Sequence, residues 1–96
     1  MERRHEDQLI NALDQLYLDG VISIRWDQIY LWLQAQRLGK ASYREIIRRW
    51  EDLCTSTYGH ASAPELLVFH WKDKPTLTLI RKPFDDEKQL PFSEWA

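Results

Sequence analysis

A single cysteine, Cys54, occurs in this 96-residue chain. No internal disulfide can form, and Cys54 falls on the apolar spacing of a helix, so a reducing, intracellular setting is the simple expectation. Glycine is scarce too, at positions 20, 39 and 59 only, which leaves no glycine-rich loop to cradle a nucleotide phosphate. No apolar run approaches membrane-spanning length, and Met1-Glu2-Arg3-Arg4-His5-Glu6-Asp7 is not followed by the apolar region of a signal peptide. A soluble, cytoplasmic protein without membrane contact is expected. His5, His60 and His70 lie far apart, and none stands at metal-ligand spacing with Cys54. The sequence therefore predicts no metal, no cofactor and no enzymatic activity. Cys54 reads as a small buried hydrophobe rather than a nucleophile, and Asp85-Asp86-Glu87 as a solvated acidic segment.

What is present is aromatic area: five tryptophans, four tyrosines and three phenylalanines, enough to build one compact core in a chain this short. The length argues for one domain, over residues 5–83, followed by an acidic and aromatic tail at 84–96. A domain of this size is only modestly stable alone and is expected to lean on a partner for part of its burial. The formal net charge of -2 hides a regional pattern. From Arg37 to Trp50 there are five basic residues against Glu45, and from Lys72 to Lys82 four against Asp73.

Leu9, Ile10, Leu13, Leu16 and Tyr17 repeat at helical spacing, and Asp19-Gly20 supplies the stop. Val21 to Ile24 reads as a brief strand. A second helix is predicted from Trp26 or Asp27, with Ile29, Trp32 and Leu33 on one face and a break at Leu38-Gly39-Lys40. Ser42-Tyr43-Arg44-Glu45 matches a capping box, which predicts the start of a third helix whose buried stripe is Tyr43, Ile46, Ile47, Trp50, Leu53 and Cys54. Thr55 to Pro64 is turn-rich and reads as a loop. Leu66 to Trp71 and Thr76 to Ile80 then form a hairpin around a short charged turn, with Pro75 at the turn or the second strand's start. Phe84, Leu90, Phe92 and Trp95 are spaced to dock the tail on the domain or on a partner.

The predicted class is mainly α with a small β-hairpin. Its order of helix, short strand, helix, turn, helix, loop and hairpin resembles the winged helix-turn-helix superfamily over Glu6 to Lys82, as three helices with a two- or three-stranded antiparallel wing. The stretch from Gly20 to Trp50 is also faintly similar to the N-terminal domains of KfrA-like plasmid DNA-binding proteins, a likeness that carries no specific function over. The superfamily resemblance implies double-stranded DNA as partner, with the third helix in the major groove and the hairpin as wing. Arg44 and Arg48 then suit base reading, while Lys40, Ser42 and Arg49 suit phosphate contacts, with Lys72 and Lys74 at the wing tip and Arg37 a weaker candidate.

The same residues admit a plainer account. Arginines are common on helix surfaces, Arg48 lies three residues before Glu51, and lysines at a hairpin tip discourage edge pairing. Glu45 would repel phosphate unless the capping box engages it, and Asp73 cancels part of the tip's charge. The alternative function is a non-enzymatic protein-interaction module. Trp26, Tyr30, Trp32, Phe92 and Trp95 exceed what a small core is expected to bury and form the candidate interface, of a homodimer through the first helix, the second helix or the tail, or of a different protein partner. A twofold dimer would let two modest basic faces act on two half-sites.

Overall fold

In the computed structural model the described residues are 2–34, 39–69, 73–84, 86–87 and 90–95, with the side chain of Trp95 outside that description. Among them are four α-helices, a π-helical turn and a three-stranded antiparallel sheet. Helix α1 spans Arg3–Asp19, strand β1 Val21–Arg25, helix α2 Trp26–Leu33 and helix α3 Lys40–Asp52, which runs on into the π-turn Leu53–Thr57. Strands β2 (Leu66–Phe69) and β3 (Thr76–Arg81) follow, then a short helix α4, Phe92–Trp95. The residues His70, Trp71 and Lys72 of the expected hairpin lie outside the described residues, as do Arg37 and Asp85.

Helix α1 is amphipathic as its spacing requires, with Leu9, Leu13 and Leu16 buried. It stops at Gly20, whose φ of 84° is left-handed and whose N–H donates to the Leu16 carbonyl at 2.8 Å. Gly20 also opens the sheet, because its carbonyl accepts from the Arg81 N–H at 2.9 Å. The sheet order is β1-β3-β2, so the last strand is central. Register pairs Val21 with Ile80 and Ile24 with Leu77 on one side of β3, and Leu66 with Arg81 and Phe69 with Thr78 on the other. Alternation along β3 sends Leu77, Leu79 and Arg81 inward and leaves Thr76, Thr78 and Ile80 half-buried on the outer face.

The inner face of the sheet and the three long helices enclose one core, in which Ile24, Leu77 and Leu79 meet Leu9, Leu13, Leu16, Ile29, Trp32, Ile46, Trp50, Leu53 and Cys54. Among the described residues the two buried indoles find acceptors: Trp50 Nε1 donates to the Pro64 carbonyl at 2.9 Å and Trp32 Nε1 to Gln8 Oε1 at 2.7 Å. Trp32 is thus a core residue in the monomer rather than an interface aromatic, since α1 supplies the polar partner its indole needs.

Two features of α3 differ from expectation. The helix begins at Lys40 with Gly39 as N-cap and no side-chain cap, so the Ser42–Glu45 capping box does not form. The Ser42 and Tyr43 N–H groups both bond the Gly39 carbonyl, at 3.1 and 3.2 Å, and the Glu45 carboxylate is taken by arginines instead. The buried stripe is also narrower than predicted: Ile46, Trp50, Leu53 and Cys54 are inside, whereas Tyr43 and Ile47 are 41 % and 47 % exposed. Periodicity finds the stripe's direction, but α1 covers only its central line.

The C-terminal segment docks through one buried cation. Arg81, 4 % exposed, donates from Nε to the Tyr17 carbonyl at 3.0 Å and from Nη1 to Glu87 Oε1 at 2.7 Å, with its guanidinium 4.0 Å from the centre of the Phe84 ring. Phe84 in turn stacks on His60 and lies against Tyr17. Phe84 lies against the domain through these contacts, while Leu90 and Phe92 are exposed.

A Cβ at position 20 would sit 3.4 Å from the Arg81 guanidinium in a backbone conformation that L-residues disfavour. Gly20→Ala is expected to lower unfolding free energy by about 1–2 kcal/mol, read by urea denaturation of the variant against the parent chain.

Candidate nucleic-acid interface

Position on α3 decides which of its cations reach solvent. The helix rests on α1 through its Ile46 and Trp50 line, and Arg49 borders that contact. The Arg49 side chain is 14 % exposed and spans the joint, donating from Nη1 to Glu6 Oε1 on α1 at 2.7 Å and from Nε to Glu45 Oε1 at 2.8 Å. Glu6 and Glu45 thereby hold their negative charge more firmly. Hydrogen bonding to Arg49 lowers the Glu6 pKa, and bonds to Arg48 first and Arg49 second lower that of Glu45. Arg49 is a structural cation in the unbound chain.

Arg48 is more open, at 58 % side-chain exposure, yet it also pairs internally, with Glu45 at 2.7 Å and Asp52 at 3.7 Å. Its partners are the carboxylates three residues before and four after it, rather than Glu51. The negative charge of Glu45 is thus compensated from two sides and does not stand as a bare carboxylate on the helix.

The remaining cations of α3 lie in its first half. Lys40 and Arg44 are exposed and, among the described residues, form no ion pair; Ser42 is half-buried between them. The first turn holds no acidic residue. Without a side-chain cap, the N–H groups of Lys40 and Ala41 have no acceptor among the described residues. Two cations, a hydroxyl and two backbone N–H groups with no acceptor among the described residues therefore occupy one helix end, where the dipole adds positive potential. Tyr43 and Ile47 stand four apart and exposed beside Arg44, so the same face also presents apolar area.

At the hairpin, Lys74 is exposed in the turn before β3, and that turn is tied to α2 by the Trp26 N–H bonding the Pro75 carbonyl at 3.0 Å. The basic count over this stretch overstates its surface charge. Arg81 is buried and Lys82 pairs with Glu65 at 2.9 Å. Lys72 lies outside the described residues. Lys74 and the α3 cations are held on separate elements.

Of the aromatics expected at an interface, Trp26 and Tyr30 are half-buried, with Trp26 packed against the core, and Phe92 is 78 % exposed on α4. Trp95, also expected at an interface, has its side chain outside the described residues. A cluster not anticipated from sequence joins Tyr17, Tyr58, His60 and Phe84: the Tyr17 and Tyr58 rings stack at 3.7 Å, Tyr17 bonds His60, and the Tyr58 hydroxyl donates to Asp14. That bond keeps the Tyr58 proton in place and pushes its pKa up to about 12. Among the described residues no group of three or more His, Cys, Asp and Glu side chains is placed to hold a metal ion, and no helix is long and apolar enough to cross a membrane.

No protein-family model, curated protein or solved structure significantly matches this chain.

The Glu45 pairing makes a pH prediction. Its pKa is depressed in the folded state, so its stabilisation is complete above the ordinary value of 4.5 and is lost as pH falls through the lower folded value. Glu45→Gln is expected to reduce Tm at neutral pH and to flatten the decline in Tm between about pH 5 and about pH 3, measured by calorimetry across that range. Burial pushes the Cys54 thiol up to about 11, so it stays protonated and shielded at neutral pH. An aromatic disulfide reagent is expected to label Cys54 only slowly in the native protein and at once in denaturant.

Proposed function

We propose that this chain is a winged helix-turn-helix domain that binds double-stranded DNA as a small transcriptional or replication-associated regulator. The observation that carries the reading is the N-terminal half of α3, where the first turn holds Lys40 and Ser42 with no acidic residue and no side-chain cap and Arg44 follows in the next turn, its neighbour Glu45 being taken up by Arg48 and Arg49. In this arrangement the N-terminal half of α3 enters the major groove. Arg44 has the reach and the paired donors to read guanine, while Lys40, Ser42 and the first-turn N–H groups hold phosphate oxygens. The element order and the strand order β1-β3-β2 support it, with the β2–β3 hairpin as the wing that brings Lys74 toward a neighbouring phosphate. Arg49, expected as a phosphate contact, pairs with Glu6 and Glu45 in the unbound chain and would have to leave them to reach DNA. Arg48 contributes to the positive field but must loosen from Glu45 to touch DNA.

A second reading is favoured by one specific observation: Tyr43 and Ile47 expose apolar surface on the helix that would enter the groove. A protein partner would bury that pair and ignore the cations.

The two readings part on salt and on substitution. Titration of a labelled random-sequence duplex, followed by fluorescence anisotropy, is expected to show salt-sensitive binding on the order of micromolar. Arg44→Ala should cost about 1–3 kcal/mol on the preferred sequence, and Lys40→Ala should reduce the salt slope by about one. Binding that survives unchanged in the Lys40→Ala/Arg44→Ala double variant contradicts the DNA reading. Loss of a captured protein in Tyr43→Ala, with the double variant silent, would support the second.

A further inference from the structure

Two exposed apolar side chains stand on the outward side of α3, and they are not equivalent. Tyr43 ends in a hydroxyl that serves water or a phosphate oxygen equally, so its exposure makes no particular demand. Ile47, 47 % exposed, has neither donor nor acceptor on its side chain. A lone surface isoleucine is ordinary in itself, and what distinguishes this one is its place. It follows Arg44 by three residues and Lys40 by seven, which puts all three on one side of the helix. Glu45, two residues before it, lies on the opposite side. One turn beyond, α3 becomes acidic at Glu51 and Asp52, so Ile47 is the last residue along the Lys40–Arg44 side before the charge changes sign.

In a major groove such a side chain has one good partner. Adenine, guanine and cytosine offer it hydrogen-bonding groups, and thymine alone adds an apolar one, the C5 methyl. An isoleucine laid on any other base edge strips water from polar atoms and returns no hydrogen bond. On thymine it buries its own apolar surface against a methyl group. Helical rise fixes the neighbourhood: three residues advance about 4.5 Å, and successive base pairs are about 3.4 Å apart. Ile47 therefore falls one or two base pairs from the one that Arg44 meets.

We infer that Ile47 is a specificity-determining residue of α3, selecting through the C5 methyl a thymine one or two base pairs from the guanine that Arg44 reads. The inference rests on the DNA reading proposed above and narrows it, from duplex in general to a site that contains both bases. It also gives a use to surface that otherwise favours a protein partner, because the apolar area left open in the unbound chain is the area the methyl covers. Ile47 lies outside the buried core, so replacing it removes the contact and leaves the fold standing.

The test is fluorescence anisotropy of the full chain on the duplex it enriches most strongly from a random-sequence pool, with each thymine in turn replaced by deoxyuridine, which removes the methyl and nothing else. One replacement, one or two base pairs from a guanine that Arg44→Ala no longer distinguishes, is expected to weaken binding about fourfold, the effect of uncovering one buried methyl group. Ile47→Ala should bind the thymine and deoxyuridine duplexes equally, whereas Arg44→Ala should bind both more weakly and keep the preference for thymine. Salt-sensitive binding that the Lys40→Ala/Arg44→Ala double variant abolishes, but that no deoxyuridine weakens, overturns the role of Ile47 and leaves the DNA reading in place. Salt-sensitive binding with no enriched sequence does the same, as does an Ile47→Ala variant that keeps the full preference for thymine. A chain that shows no salt-sensitive binding to the pool overturns both.

Discussion

Arg49 donates to Glu45 on its own helix and to Glu6 on α1 at the joint between two helices that otherwise meet through apolar side chains. Much of the surface chemistry follows from that bridge. It lies beside the face on which Ile46 and Trp50 go inward, while Lys40, Arg44, Tyr43 and Ile47 go outward. It also draws Glu45 into an internal network, which removes a free carboxylate from the helix and, with Asp52, holds Arg48 back. The charge left for a partner is concentrated in the first turn and a half of α3, although basic residues occur along its length.

A second cation, Arg81, does comparable work at the other side of the core. A guanidinium at 4 % exposure is tolerated because the Tyr17 carbonyl, the Lys82 carbonyl and Glu87 receive its donors. Those bonds connect the end of α1, the central strand and the segment after β3. Phe84 completes the arrangement by covering Arg81 while stacking on His60. Glu87 is held ionised chiefly by Arg81, so part of the acidic tail belongs to the fold rather than to a solvated extension.

Local signals were legible where a single residue type carries the physics. Gly20 ends α1 because a left-handed cap costs glycine little, and the β-branched run after it becomes β1. Pro75 stands just before β3, as its missing donor suggests. Longer-range choices were not legible. The bridge from Arg49 to Glu6 joins residues 43 apart in sequence, so Arg49 read as a phosphate contact. Ser42 and Glu45 have the spacing of a capping box, but two arginines compete for the glutamate and the N-cap is Gly39, three residues earlier. Trp32 resembled a surplus aromatic only because its acceptor, Gln8, lies on another helix. Arg81 did leave a trace: it follows Leu77 and Leu79 at intervals of two, which assigns it to the inner face of the strand.

The central claim is that the first half of α3, and not its arginine-rich middle, meets DNA. The most direct measurement is a two-dimensional amide NMR titration of the labelled chain with a short duplex at low salt. The account predicts that the largest shifts fall on the amides of Lys40 to Arg44, with smaller ones around Lys74 and little change at Arg49 and Glu6. Shifts centred on Arg48 and Arg49, or a spectrum that does not respond to duplex, would contradict it.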